Sequence, residues 1–156
     1  QTLKECGVSE FLAKGDFNYL NPTRDMSAKE KKELMRKRFF ADDFFLSANA
    51  VTIDGRIFQE DGASTRVAPM IYGPDNVIII IGKNKIVDTE GQAKARIKKV
   101  APQNCAKAGF DTPCAVDGRC HDCRVPARSC CTSVTLNYSR IPDRIKVIIV
   151  NEDLGI

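Results

Sequence analysis

The sequence contains no tryptophan, a single histidine, and no apolar run longer than Val77–Ile81. Crossing a bilayer takes roughly 18 or more apolar residues, so no membrane span is expected. No charged-then-apolar leader opens the chain, and a cytoplasmic protein is the expectation. With one histidine, any Ser-His-Asp or Cys-His hydrolase would have to use His121. That residue lies between Cys120 and Cys123 among turn formers, and it reads as an exposed loop residue rather than a catalytic base. Internal repeats and low-complexity linkers are also missing.

A strong charge of one sign is lacking too. Basic residues exceed acidic ones by 24 − 20 = +4. The stretch Ser27–Phe40 alone carries Lys29, Lys31, Lys32, Arg36, Lys37 and Arg38 against Glu30 and Glu33, which is 6 − 2 = +4. The excess is therefore one helix face, and no nucleic-acid partner is expected. What remains is an ordinary soluble mix, 43% hydrophobic and 28% charged over 156 residues, which suits one globular domain with one core.

Periodicity and turn chemistry predict an α/β protein. Leu3, Cys6, Gly7, Phe11 and Leu12 recur at helical spacing ahead of a stop at Gly15. Phe17–Leu20 reads as a short strand, and Ser27 with Glu30 forms a capping box for a helix from about 28 to 39. Ala41–Ala50 reads as one strand, followed by a hairpin over Val51–Phe58 that pivots on Asp54-Gly55. Val67–Tyr72 is read as a short helix. Val77–Ile81 is apolar throughout without alternation, the pattern of a strand covered on both faces of a parallel sheet. Asp88-Thr89 caps a helix with the stripe Ala93, Ile97, Val100 and Ala101; Val134–Leu136 and Ile145–Val150 complete the strands.

Seven cysteines accompany the lone histidine. Cys114, Cys120, Cys123 and Cys130 follow a C-x5-C-x2-C-x6-C spacing. Four thiolates complete a tetrahedral zinc site or hold the corners of an iron–sulfur cluster. The intervening Pro113, Asp117, Gly118, Asp122 and Pro126 make turns and supply little core, so something else must order this loop. Arg119, Arg124 and Arg128 favour thiolates. A metal site is preferred over reduced cysteines with incidental roles, and both over disulfides. The x5 and x6 gaps do not decide between zinc and an iron–sulfur cluster. Cys6, Cys105 and Cys131 are read as having no metal role.

Asn49, Asp54, Gly55, Gly62, Ser64, Thr65 and Arg66 fall at ends of predicted strands and in turns, where open α/β sheets bind ligands. A glycine-led loop with Ser, Thr and Arg holds an anion through backbone N–H groups and a guanidinium fork. The competing reading is a plain hairpin turn at Asp54-Gly55 and a surface ion pair for Arg66.

Several ordered segments resemble the lactate-utilisation (LUD) domain family. They are Thr2–Gly7, Ser47–Thr52 with Asp54-Gly55, Gly62 with Thr65–Ala68, Met70–Pro74, Gly82–Val87, Thr112–Cys114 with the following cysteines, and Ile148–Gly155. The resemblance implies a mainly parallel sheet flanked by helices, as in sugar-phosphate isomerases, CoA transferases and 5-formyltetrahydrofolate cyclo-ligase. It also implies that 1–156 is a single LUD-like domain lacking its N-terminal β-unit, whose anion-cradling loop would precede the helix at Thr2. A chain short of that unit would expose apolar surface or lean on a neighbouring chain, as in a homo-oligomer, to cover its first strand position.

The function implied is metabolite binding, or an accessory role beside iron–sulfur subunits, in oxidation of lactate or a related organic acid. The alternative is an enzyme acting on an anionic sugar-phosphate, folate or CoA-type substrate. In it Asp54 or Glu60 is the acid or base, since Asn49 is an amide, and Arg66 and Lys85 hold the substrate's anionic groups.

Overall fold

A computed structural model describes residues 1–156. Two short helices open it, α1 (Thr2–Glu5) and α2 (Val8–Lys14), because Gly7 at φ +78° turns the chain between them. The single expected helix is thus broken at the one residue in this stretch that takes a left-handed conformation without strain. Phe17–Leu20 is irregular rather than a strand; Phe17 stacks obliquely on Phe11, with ring centroids 5.5 Å apart. Helix α3 (Ala28–Lys37) starts as the capping box predicts. The Ser27 hydroxyl accepts from the Glu30 N–H, and the Glu30 carboxylate accepts from the Ser27 N–H at 2.7 Å.

The predicted strand Ala41–Ala50 divides into β1 (Asp43–Leu46) and β2 (Ala50–Thr52), which enter different sheets. Strand β3 (Ile57–Asp61) pairs antiparallel with β2 across a turn at Asp54-Gly55, where Gly55 takes φ +88°. The division is fixed by Gln59 of β3, whose buried amide donates to the Ser47 carbonyl at 2.8 Å and accepts from the Asn49 N–H at 3.0 Å. The Asn49 N–H also donates to the Phe58 carbonyl at 3.1 Å, so the polar groups between β1 and β2 are satisfied by β3.

Helix α4 (Val67–Ile71) leads into β4 (Asn76–Gly82), which is followed by β5 (Ile86–Val87) and the 19-residue α5 (Glu90–Ala108). Thr89 caps α5, with Gln92 reaching back to the Thr89 N–H, and Gly109 ends it at φ +69°. Helix α6 (Pro113–Asp117) is the only regular element in the cysteine-rich segment; β6 (Thr132–Leu136) and β7 (Ile145–Val150) follow.

The predicted α/β class holds. One sheet, ordered β1-β4-β7, is wholly parallel and flanked by helices. The hairpin extends into a second sheet, β5-β2-β3-β6, in which only β2–β5 is parallel. Strand β4 is the centre of the first sheet, with Val77, Ile79 and Ile81 fully buried and Ile80 nearly so. Val77, Ile79 and Ile81 pack with Phe44, Leu46, Val51, Ile57, Val67 and Met70 in one core cluster. At the edge, β7 leaves Val147, Ile148 and Ile149 exposed. No helix is long and apolar enough to cross a membrane.

Arg144 at the start of β7 locks α4 in place. Its buried guanidinium donates to the carbonyls of Pro69, Met70 and Pro74, satisfying acceptors that a short helix leaves free. The loops after β1, β4 and β7 all leave at the same carboxyl end of the parallel sheet. Those after β4 and β7 are tied to each other by Lys83 N–H to the Glu152 carbonyl (3.0 Å) and by Leu154 N–H to the Asn84 side chain (3.2 Å).

Candidate functional site

Those three loops converge on Lys85. The residue is 4% exposed, and its ammonium donates to the Thr2 hydroxyl at 2.9 Å and the Ser47 hydroxyl at 3.0 Å. Ser47 follows β1, Lys85 follows β4, and Gly155, which follows β7, passes so close that a Cβ there would lie 3.1 Å from Nζ. No carboxylate is in ion-pair contact with Lys85. Burial lowers its pKa from 10.5 to about 8, assisted by the Arg96 charge and opposed by Glu5. An ammonium has three donors, and two are used.

Lys85 borders an open cavity of about 1240 Å³. Thr2, Asn49, Glu60, Gly62 and Arg66 also line it, so most of the sequence-derived ligand candidates meet in one place. Asp54, Gly55 and Ser64 do not. Asp54 is a turn residue whose carboxylate accepts from the Thr52 hydroxyl and from Arg56. Those bonds lower its pKa, the direction opposite to that of a poised general acid or base. Ser64, at φ +60°, bonds the Thr132 hydroxyl at 2.6 Å.

Several of the cavity residues have structural duties as well. The Asn49 side-chain oxygen accepts from the Glu60 N–H at 2.8 Å, which pins the loop after β1 to β3. Arg96 of α5 donates to the Asn49 carbonyl at 2.6 Å and the Asn84 carbonyl at 3.0 Å, bracing two of the three loops. Arg66 donates to the Glu60 carbonyl at 2.8 Å and lies 3.5 Å from Asp61, with its side chain about half exposed. Glu60 accepts from the Ser133 hydroxyl through one carboxylate oxygen, and its other oxygen is buried with no partner.

Sequence reasoning passed over Asp61, Ser47 and Arg96. Asp61 is buried and accepts from the backbone N–H groups of Gly62 and Arg66 at 2.8 Å and of Val67 at 3.3 Å, so it organises the glycine loop and the start of α4. An acid immediately before a glycine, a few residues ahead of a short helix, is the available signal. For Ser47 and Arg96 no local signal exists, because their partners lie far away in sequence.

Five of the cysteines line a smaller cavity of about 40 Å³, which shares Ala101, Cys105, Ser129 and Cys130 with the large one. Cys114, Cys120, Cys123 and Cys130 all line it, and every cysteine is free. Burial and neighbouring negative groups, Glu60 first, push the Cys130 thiol up to about 12. Burial also raises the Cys105 thiol. No three His, Cys, Asp or Glu side chains stand together closely enough to hold a metal ion. His121 bonds the Asp117 carboxylate at 2.9 Å, an exposed pair within the loop.

Comparison with known proteins gives a match between residues 1–150 and the family model described as LUD domain. Among solved structures, the chain is similar to a DUF162 family protein from Deinococcus radiodurans, at 15% identity and a TM-score of 0.47. That match covers 96% of this chain and 84% of the other. No curated protein matches it.

Proposed function

The chain belongs to the LUD domain family, and we propose that it binds a small organic or phosphorylated anion in the cavity around Lys85. In this reading it is a metabolite-binding or accessory subunit in the oxidation of lactate or a related organic acid. The observation that carries the reading is the buried Lys85 ammonium, which has two neutral hydroxyl partners and no carboxylate. A buried cation is costly until an opposite charge reaches it. An anion arriving from the cavity supplies that charge and accepts the third N–H. Arg66 adds a second cation on the same cavity wall, suited to a carboxylate or phosphate.

The location also supports the reading, since open α/β sheets bind ligands outside the carboxyl ends of their parallel strands. The four cysteines of the loop belong to the proposal as a zinc or iron–sulfur site. Zinc would order the loop, and a cluster would relay electrons to iron–sulfur partner subunits. Calorimetric titration of the protein with L-lactate and with inorganic phosphate tests the anion site. Saturable binding by wild type that Lys85→Met abolishes is the expected result, and no binding of either probe by wild type would contradict it.

A second reading, catalysis on an anionic sugar-phosphate, folate or CoA-type substrate, is favoured by one observation. Glu60 lines the same cavity, and one of its carboxylate oxygens is buried without a partner. In this reading the Glu60 carboxylate would serve as the proton acceptor. Turnover lost in Glu60→Gln with ligand binding retained would support this reading, and unchanged turnover would remove it.

A further inference from the structure

The cavity around Lys85 is far larger than the small anions its cations attract. At about 1240 Å³ it exceeds the roughly 300–1,000 Å³ of pockets that hold drug-sized molecules. Lactate and phosphate are no larger than a few waters, each of which takes roughly 30 Å³ in liquid, and fill only a small part of it. Of its 41 lining residues 20 are hydrophobic, so much of the wall offers a small anion nothing to bond. The cations are gathered in one part. Arg66 stands close enough to Lys85 for its charge to help lower the Lys85 pKa.

The rest of the wall has a different chemistry. Helix α5 presents Ile97, Ala101 and Ala108 to the cavity, at i, i+4 and i+11 on one helical face. Toward the start of α5 that face is covered. Ala93 is fully buried against Ala50 and Phe58, and Ile97 packs at the margin of the same cluster. Beyond it, Ala101 is only part-buried and Ala108 is exposed. Phe110, just past the helix, borders the same cavity at 51% exposure, as do Phe11 at 65% and Phe17 at 52%. Apolar side chains gathered around one opening and left in water mark a surface that a ligand covers.

We propose that the ligand of this cavity is an amphipathic carboxylate, whose head accepts from Lys85 and Arg66 while an extended apolar body lies along the Ile97, Ala101 and Ala108 face of α5. The inference rests on the reading of Lys85 as an anion site and narrows the anion to one with a hydrocarbon body. The head cancels the buried charge, and the body removes from water the apolar wall that lactate alone leaves wet. The two alanines leave width for a chain along the helix, and a bulky side chain in their place fills it.

The test titrates the full chain at pH 7 with acetate, butanoate, hexanoate and octanoate, all below micelle-forming concentration. Affinity should rise between about twofold and fourfold for each added methylene, the increment for taking apolar surface out of water. Octylammonium, with the same chain length and the opposite charge, should bind far more weakly than octanoate. Ala101→Trp should bring the ratio of octanoate to acetate affinity close to one, whereas Ala106→Trp, on a part of α5 outside the cavity, should keep the wild-type ratio. Magnetisation transfer between the octanoate chain and the methyl groups of Ala101 and Ala108 reads the contact without mutation. Equal affinity for acetate and octanoate overturns the apolar body and leaves the anion site standing. A length dependence unchanged in folded Ala101→Trp, with no transfer to either alanine, overturns its placement on α5. A stable oligomer that shields this face and takes up no alkanoate makes a second copy the occupant and overturns the proposal. Failure of acetate, lactate and phosphate alike to bind overturns both readings.

Discussion

The Lys85 ammonium lies 2.9 Å from the hydroxyl of Thr2, 83 positions earlier in the chain. This bond joins α1 to the loop that leaves β4, and the same Thr2 hydroxyl lies 3.5 Å from the Leu154 carbonyl after β7. A charge is thus enclosed by neutral groups at the place where the parallel strands end.

Burial of that charge makes stability depend on pH in a definite direction. The Lys85 pKa falls from 10.5 to about 8 on folding. Between those values the unfolded chain holds a proton that the folded chain has released, so stability rises with pH through the window. The gain is complete above 10.5 and is lost as pH falls through 8. The slope from this group is at most about 1.4 kcal/mol per pH unit. Lys85→Met should therefore unfold at higher urea than wild type at pH 7, with the difference closing toward pH 10. A difference that does not change with pH would contradict the assignment.

Gly155→Ala should destabilise more than Gly109→Ala. Both glycines take nearly the same left-handed conformation, φ +70° and +69°. A Cβ at 109 meets nothing, whereas one at 155 overlaps the Thr2 hydroxyl and lies 3.1 Å from Lys85 Nζ. The backbone cost, about 1 kcal/mol, is common to the pair. The packing cost of about 1–3 kcal/mol falls on Gly155→Ala alone. Thermal unfolding of the two variants measures the difference.

Asp61→Ala should cost at least about 2 kcal/mol, because it strands the N–H groups of Gly62, Arg66 and Val67 around a buried carboxylate position. Asp61→Asn keeps one acceptor and should fall between the two. Urea unfolding curves at pH 7 order the three proteins.

Asp54 and Glu60, alike as sequence candidates, should separate in a binding assay. Asp54→Asn disturbs a turn outside the cavity and should leave phosphate or lactate affinity unchanged within about twofold. Glu60→Gln removes a negative charge from the cavity that holds Lys85 and Arg66 and should strengthen anion binding by several-fold.

Features written locally in the chain were legible: the Ser27–Glu30 and Thr89–Gln92 caps, the Asp54-Gly55 turn, and the central position of Val77–Ile81. Each depends on neighbours within a few residues or on a side-chain pattern that tertiary contacts do not reverse. The split of Ala41–Ala50 was hidden because it is imposed by Gln59, a long-range partner that reads as an ordinary strand residue. Among the ligand candidates, Lys85 emerged as the centre only once the loops after three strands had enclosed it; in sequence it is one of 24 basic residues.

The most direct test of the account is anion affinity as a function of pH. Inorganic phosphate and L-lactate, titrated into wild type and Lys85→Met by calorimetry between pH 7 and 10, report on the Lys85 charge alone when the two proteins are compared. The account predicts binding to wild type that weakens about tenfold per pH unit above about 8, as the ammonium is lost, and no comparable binding to Lys85→Met. Equal affinity in the two proteins, or wild-type affinity that stays constant through pH 10, would contradict it.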